Sequence, residues 1–459
     1  LAAGVHAEDA RQVAAQLAKF RAVPMHFDAA GLSARERALV GKLVDATRLL
    51  DEVYWQQADP KGLRLYRSLA GKTSPEQAQL RRFLLINGGR YDLINEFAPF
   101  GGAGPRPAGG ALFPADLSRA EFDAYVAAHP AGKAALYDGF TVVRRQGAAL
   151  RAVPYHVAFA RWLTPMSRLL KEAADLSDDP AFAKFLRLRA AALLSDDYFA
   201  SDLAWLDLKN PKFDVIFAPY ETYLDHFLGV KTSYGAAVLI RNDAESSKLE
   251  MFQTFVPDIQ DALPLPSQDR PSKQGHLSPM EVMDAPYRGG DLRHGYQAVA
   301  DNLPNDPRVH EQKGSKKIFF KNFMDARVNE VILPIARRLL APEQVALATA
   351  QGYLTGTVMH EISHGLGPAF ARTATGKQDI RASIGPEYGS EFRCGLTKIA
   401  DAEEASGLLR TGTSRLEHLA PPWIRSVRPE GESPGGRSTP PPDYGSPGPA
   451  RSSFRRSIP

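Results

Sequence analysis

The stretch that decides how this chain is read begins Pro342-Glu343-Gln344-Val345-Ala346-Leu347-Ala348-Thr349-Ala350. It runs on to His360-Glu361-Ile362-Ser363-His364 and Gly365-Leu366-Gly367-Pro368. Residues four apart on an α-helix lie one above the other. If the stretch is helical, His360 and His364 share a side and can reach one tetrahedral Zn²⁺. Glu361 falls on nearly the same side, where it could take a proton from water held there. Good helix formers after Pro342, a favoured first residue, predict the helix. Gly and Pro after His364 predict its end. The bland alternative is an ordinary helix with two exposed histidines, and the spacing alone does not exclude it.

The remainder of the chain narrows the choice. Its 459 residues are enough for two or three domains with their own cores, and 44% hydrophobic with 24% charged residues is an ordinary globular balance. Net charge is +4, with acids and bases interspersed. A nucleic-acid footprint needs clustered Lys and Arg, so none is expected. The single cysteine, Cys394, rules out an intrachain disulfide framework and a cysteine-rich zinc site. Any zinc must be held by His and carboxylates, the catalytic style. No run of eighteen apolar residues occurs, so no membrane span is expected. Leu1 to Ala7 reads as the last part of a signal peptide, with Val5 and Ala7 before a cut ahead of Glu8. That reading implies a periplasmic or secreted protein. An Ala-rich N-terminus of a cytoplasmic protein is the alternative.

Apolar residues recurring at three and four predict helices over Asp9–Phe20, Ser33–Trp55, Ser74–Ile86, Arg119–His129, Val157–Leu176, Pro180–Leu194 and Lys321–Leu340. The short, apolar, β-branched runs Phe213–Phe217 and Ala236–Ile240 predict strands. Residues 97–115, rich in Gly and Pro, read as a long ordered loop or a crossing between elements, and residues 257–309, with many Pro, Gly and Asp, as irregular connections. Residues 420–459 are dense in Pro, Gly, Ser and Arg, and cannot bury enough apolar surface to offset their ordering entropy. The fold class is therefore α+β, mostly helical.

Four segments carry a family resemblance. They are Val358 to Gly367 with the histidine pair, Pro219-Tyr220-Glu221-Thr222-Tyr223-Leu224-Asp225, Asn302-Leu303-Pro304-Asn305-Asp306, and Ser195-Asp196-Asp197-Tyr198-Phe199-Ala200-Ser201-Asp202 followed by Trp205. Over residues 15–390 the chain resembles the dipeptidyl peptidase III family of zinc metallopeptidases, particularly its bacterial branch. The resemblance implies two lobes around a cleft. One is a mixed lobe with a small β-barrel, placed at residues 8–245, and the other a helical zinc lobe at 246–390. It implies one Zn²⁺ on His360 and His364, Glu361 as general base, and Tyr223 on the oxyanion. It also implies Glu221 on the free amine of an oligopeptide substrate, and Asn302, Asn305 and Asn322 on its N-terminal backbone. Cleavage would release dipeptides. The oligomeric state is left open.

Each role has a plainer counterpart. Glu221 could be a strand-end carboxylate in water, Tyr223 a half-buried strand aromatic, and Asn302 and Asn305 turn residues around Pro304. Asp196 and Asp197 could pair on a metal, but they also suit the close of a helix at Leu194, and His156 and His226 stand isolated in the sequence. The family's third ligand is a Glu in a helix reading roughly Leu-Glu-Glu-Ala-Lys-Ala-Asp. Here the register instead holds Gly389-Ser390-Glu391-Phe392-Arg393-Cys394. A reading-frame shift, a joined segment at that point, or an insertion that moves the acidic pair to Glu403-Glu404 would each account for it. The ligand is then Glu391, Glu403 or Glu404, or is lost, and residues 391–459 read as a disordered, non-family tail on a truncated zinc lobe. A non-catalytic peptide-binding relative and a zinc hydrolase of non-peptide substrates are the rival functions.

Overall fold

The computed structural model describes residues 7–267, 279–294, 297–364, 366–368, 370–373 and 376–379. The expected signal remnant except Ala7, the candidates Glu391, Glu403 and Glu404, and the C-terminal tail lie outside the described residues.

Helix starts follow local chemistry. After α1 (Ala7–Leu17) comes α2 (Ala34–Ala58). Its N-cap Ser33 accepts from the Glu36 amide, and Glu36 accepts from the Ser33 amide. This reciprocal capping box satisfies two otherwise orphaned donors. α3 (Pro60–Ser68) and α4 (Pro75–Asn87) each open on Pro, whose missing N–H has no partner to lose there. A short ladder, β1 (Tyr91–Asp92) with β2 (Ala98–Pro99), precedes α5 (Arg119–Ala128) and α6 (Lys133–Tyr137). The hairpin β3 (Thr141–Gln146) and β4 (Ala149–Pro154) leads into α7 (Tyr155–Ala158), α8 (Ala160–Leu176), α9 (Pro180–Ala192) and α10 (Phe199–Leu206).

The centre is a sheet. β5 (Phe213–Glu221) and β6 (Ser233–Arg241) are followed by α11 (Asp243–Ser247) and α12 (Glu250–Ala262). Then come β7 (Met280–Gly290), β8 (Ala300–Leu303), α13 (Pro307–Lys313) and β9 (Lys316–Phe320). The five strands pair in the order β5-β6-β7-β9-β8, with β7–β9 parallel and the other pairs antiparallel. α14 (Lys321–Arg327), a π-helical turn at Val328–Ile332, α15 (Leu333–Leu339) and a 3-10 turn at Pro342–Leu347 lead to α16 (Ala350–His364). The hairpin β10 (Phe370–Thr373) and β11 (Gly376–Asp379) follows.

Three expectations are corrected. Among the described residues the sheet is open, with β5 and β8 at its edges, and is not a closed barrel. Residues 257–309 are not merely connections, since they supply β7 and β8, and α12 continues through Pro257. β6 and β7, on either side of residue 245, pair in one sheet. The motif helix also begins at Ala350 rather than Pro342. Ala348 is extended (ψ 99°), and the Thr349 hydroxyl accepts from the Gly352 amide to start a new helix.

The sheet is covered on both faces. One main core joins α2, α8 and α9 to β5 and β6 through residues such as Leu43, Leu50, Leu170, Phe185 and Val238. Gly289 lets α2 approach β7 closely, because a Cβ there would stand 2.8 Å from the Thr47 carbonyl oxygen. A second core joins α12, α14 and α16 to the other face, with Val256, Val282, Phe319, Met324, Val358 and Ile362.

Candidate functional site

The site grows from the end of the sheet and from α16. Glu221 is the last residue of β5, and exposed Tyr223 lies in the turn beyond it. β5 and β8 are opposite edges, yet the segment after β8 crosses between them. There Asn305 Nδ2 donates to Glu221 Oε1 (2.9 Å) and to the Tyr220 carbonyl (3.2 Å). Tyr220 is itself fixed from behind. Its hydroxyl donates to Asp202 Oδ1 (2.7 Å) and accepts from Arg189 Nη1 (2.8 Å), while Arg189 pairs with Asp202 in the core. Asn302, near the end of β8, accepts from the Ser315 hydroxyl through Oδ1 (2.5 Å). Asn322 is buried on α14. Its amide donates to the Ala285 carbonyl (3.1 Å) and accepts from the Ala285 amide (3.0 Å), completing the backbone of β7.

α16 packs on β8 and β9 through Val358 and Ile362, four residues apart on one face. Glu361 lies between them in sequence and is buried with them. His360 and His364 occupy the neighbouring half-buried stripe. Their Nε2 atoms stand 3.0 Å apart and their rings are nearly perpendicular, at 87°. Two nitrogens on one tetrahedral zinc would be roughly 3.3 Å apart from the usual bond lengths. The pair therefore fits two places of such a site. Among the described residues no three His, Cys, Asp or Glu side chains group as a metal site.

Two carboxylates that the sequence reading passed over sit between these parts. Asp291 directly follows β7 and accepts from the Ser233 hydroxyl (2.8 Å). Burial pushes its pKa up to about 7, with the Glu221 charge adding to the rise. Asp301 on β8 is raised well above the usual carboxylate range, first by burial, then by Glu221 and Glu361, with Arg288 opposing. Glu221 and Glu361 thus act on one common group. Asp291 follows two glycines inside a Pro-rich stretch, a pattern that reads as a turn until β7 is known to end there.

The raised group sets a pH dependence of stability. Folded Asp291 holds its proton up to about pH 7, whereas an unfolded Asp releases it near pH 3.9. The folded state binds more protons in between, so this group's contribution is present below the unfolded value and is lost as pH rises through 7. Asp291→Asn should therefore gain stability relative to wild type between pH 5 and 8, read from urea midpoints. A difference that does not change with pH would contradict this assignment.

The other sequence candidates have structural partners. Asp196 accepts from the His156 amide (3.0 Å) and pairs with His156 Nδ1 (2.7 Å), while Asp197 caps the Phe199 amide at the start of α10. His226 packs edge-on against Phe97.

No known protein-family profile matches the chain. Dipeptidyl-peptidase III from Caldithrix abyssi superposes with a TM-score of 0.72 at 36% identity, covering 80% of this chain and 70% of that one. Dipeptidyl-peptidase III from Corallococcus sp. strain EGB superposes with a TM-score of 0.81 at 30% identity, over 90% of this chain and 77% of that one. These likenesses cover the α+β fold as a whole and exceed what a shared fold alone requires. The chain belongs to the dipeptidyl-peptidase III family. A curated relative, Nudix hydrolase 3 of Arabidopsis thaliana, is 26% identical over 405 residues, and the chain spans 52% of its length. No helix among the described residues is long and apolar enough to cross a membrane.

Proposed function

We propose that this site hydrolyses oligopeptides from the amino end, releasing dipeptides. The observation that carries the reading is the convergence of His360 and His364 Nε2 beside the inward-facing Glu361, on a helix packed against the strands that hold Asn302. His360 and His364 would hold a zinc ion, with a further ligand still required from outside the described residues. When bound, the ion would supply Lewis-acid polarisation of the scissile carbonyl and a lowered pKa for water. Glu361 takes the proton of the attacking water and passes it to the leaving amine. Tyr223 donates to the developing oxyanion. Glu221 receives the ammonium of the substrate through a charge-assisted bond, with Asn305 holding its carboxylate in place. Asn302 offers its amide N–H₂ to the peptide backbone. Asn322 supports the floor by fixing β7. In this reading the mixed lobe extends through β9, because β7, β8 and β9 complete its sheet.

The amine anchor is the distinguishing test. A site that counts from a free amine rejects N-acetylated peptides, and removing its charge abolishes the discrimination. Glu221→Gln should weaken binding of a free-amine peptide by about tenfold or more and leave the N-acetyl peptide unchanged, read by calorimetry. Equal treatment of both peptides by the wild type would refute the exopeptidase reading and favour a hydrolase of other substrates.

A second reading is a peptide-binding relative without a complete metal site, since among the described residues only His360 and His364 converge. Equilibrium dialysis separates the two. Two histidines alone give weak zinc uptake, whereas tight one-to-one uptake requires a third protein ligand.

A further inference from the structure

We propose that Lys317 is a substrate-positioning residue of this site, its ammonium donating to a backbone carbonyl oxygen of the peptide whose amine Glu221 holds. The proposal rests on the peptide reading above. Alternate residues of a strand face opposite sides, and β9 carries two adjacent lysines. Lys316 turns to the main core, where its Nζ donates to Asp214 Oδ2 at 2.8 Å and both side chains are fully buried. That pair is closed. Lys317 turns to the face that carries α16. It is only 1% exposed, yet among the described residues its Nζ makes one hydrogen bond, at 3.4 Å to the Ser315 hydroxyl. An ammonium has three N–H donors, and burying a cation without full partners is costly. Burial pulls the Lys317 pKa down to about 8, and the Glu361 charge opposes the fall.

The surroundings match a peptide backbone. Lys317 lies directly opposite Asn302 in the β8–β9 ladder. The Ser315 hydroxyl accepts from Lys317 and donates to Asn302 Oδ1. With that oxygen engaged, the Asn302 N–H₂ and the Lys317 ammonium form a patch of donors. Asn305, bonded to Glu221, is three residues further on, and three residues of chain span at most about 10 Å. The amine anchor and the donor patch are therefore within reach of one short peptide. Carbonyl oxygens are acceptors that every such peptide presents next to its amine.

The test is calorimetric titration of the full chain, in chelator, with a C-terminally amidated tetrapeptide bearing a free amine. Two analogues replace the first or the second peptide bond by an alkene, which removes its carbonyl. Lys317→Met should bind the parent peptide about tenfold or more weakly, and lose almost nothing against one of the two alkene analogues. That dependence on the peptide separates a contact from general damage to the sheet. Equal losses against all three peptides, or wild-type affinity for the parent, would overturn the proposal. If circular dichroism shows Lys317→Met unfolded, Lys317→Gln takes its place with the same expected pattern. A wild type that binds free-amine and N-acetyl peptides alike overturns the peptide reading and this proposal together. A wild type that prefers the free amine, with Lys317→Met unaltered, overturns the proposal alone.

Discussion

Glu361→Gln should lower the turnover of a free-amine oligopeptide by about 10²–10⁴-fold, with zinc supplied, while leaving its affinity nearly unchanged. The amide is close in size to the carboxylate and fills the same place beside Val358 and Ile362, so α16 should keep its packing. What it loses is the ability to accept a proton from water. A fall in kcat with KM and peptide affinity preserved marks a group that acts in the transition state and not in ground-state binding. Undiminished kcat in the Gln variant would remove Glu361 from the reaction. Zinc uptake measured alongside separates a lost base from a lost metal, because His360 and His364 remain in the variant.

The second large effect is on stability. Asp214 and Lys316 are both fully buried. Asp214 Oδ1 also accepts from Trp205 Nε1 (2.7 Å) on α10. Breaking one side of a buried pair strands the other charge, at a cost of about 3–5 kcal/mol. Whole-domain stabilities are of order 5–15 kcal/mol, so Asp214→Ala should remove a large share and lower the urea midpoint sharply. Replacing both partners by apolar residues (Asp214→Leu with Lys316→Met) should recover much of the loss, because no orphaned charge remains. A loss below about 1 kcal/mol for Asp214→Ala would show that Lys316 finds another partner.

Legibility followed the range of the interaction. Six helices of the first two hundred residues follow the expected ranges because periodicity is local, whereas α3 and α6 fall outside them. The structure adds local caps to three of the six, where the Ser33, Ser74 and Asp179 side chains accept from amides of the first turn. β5 and β6 were readable from their apolar cores, although each extends beyond the predicted run. β7 was missed because Pro286, Gly289 and Gly290 read as turn residues. Gly289 is there so that α2 can lie against the strand, a reason that no local window contains. α16 starts later than its sequence suggests, because residues 343–347 are helix formers yet stand outside it. A 3-10 turn and the Thr349 cap interrupt them.

Sequence alone determined that, on a helix, His360 and His364 would stack on one stripe with Glu361 next to it, because a fixed rise and turn per residue set that spacing. It also carried the likeness to the dipeptidyl-peptidase III family in four short segments. Only the tertiary structure decided which charges share a neighbourhood. It brought Asn305 onto Glu221 across the sheet, set Asp291 and Asp301 near that same carboxylate, and placed Lys317 across from Asn302 under α16. Strand pairing and burial join residues that are far apart in the chain, and the pKa values of buried acids and bases depend on those neighbours and on lost water.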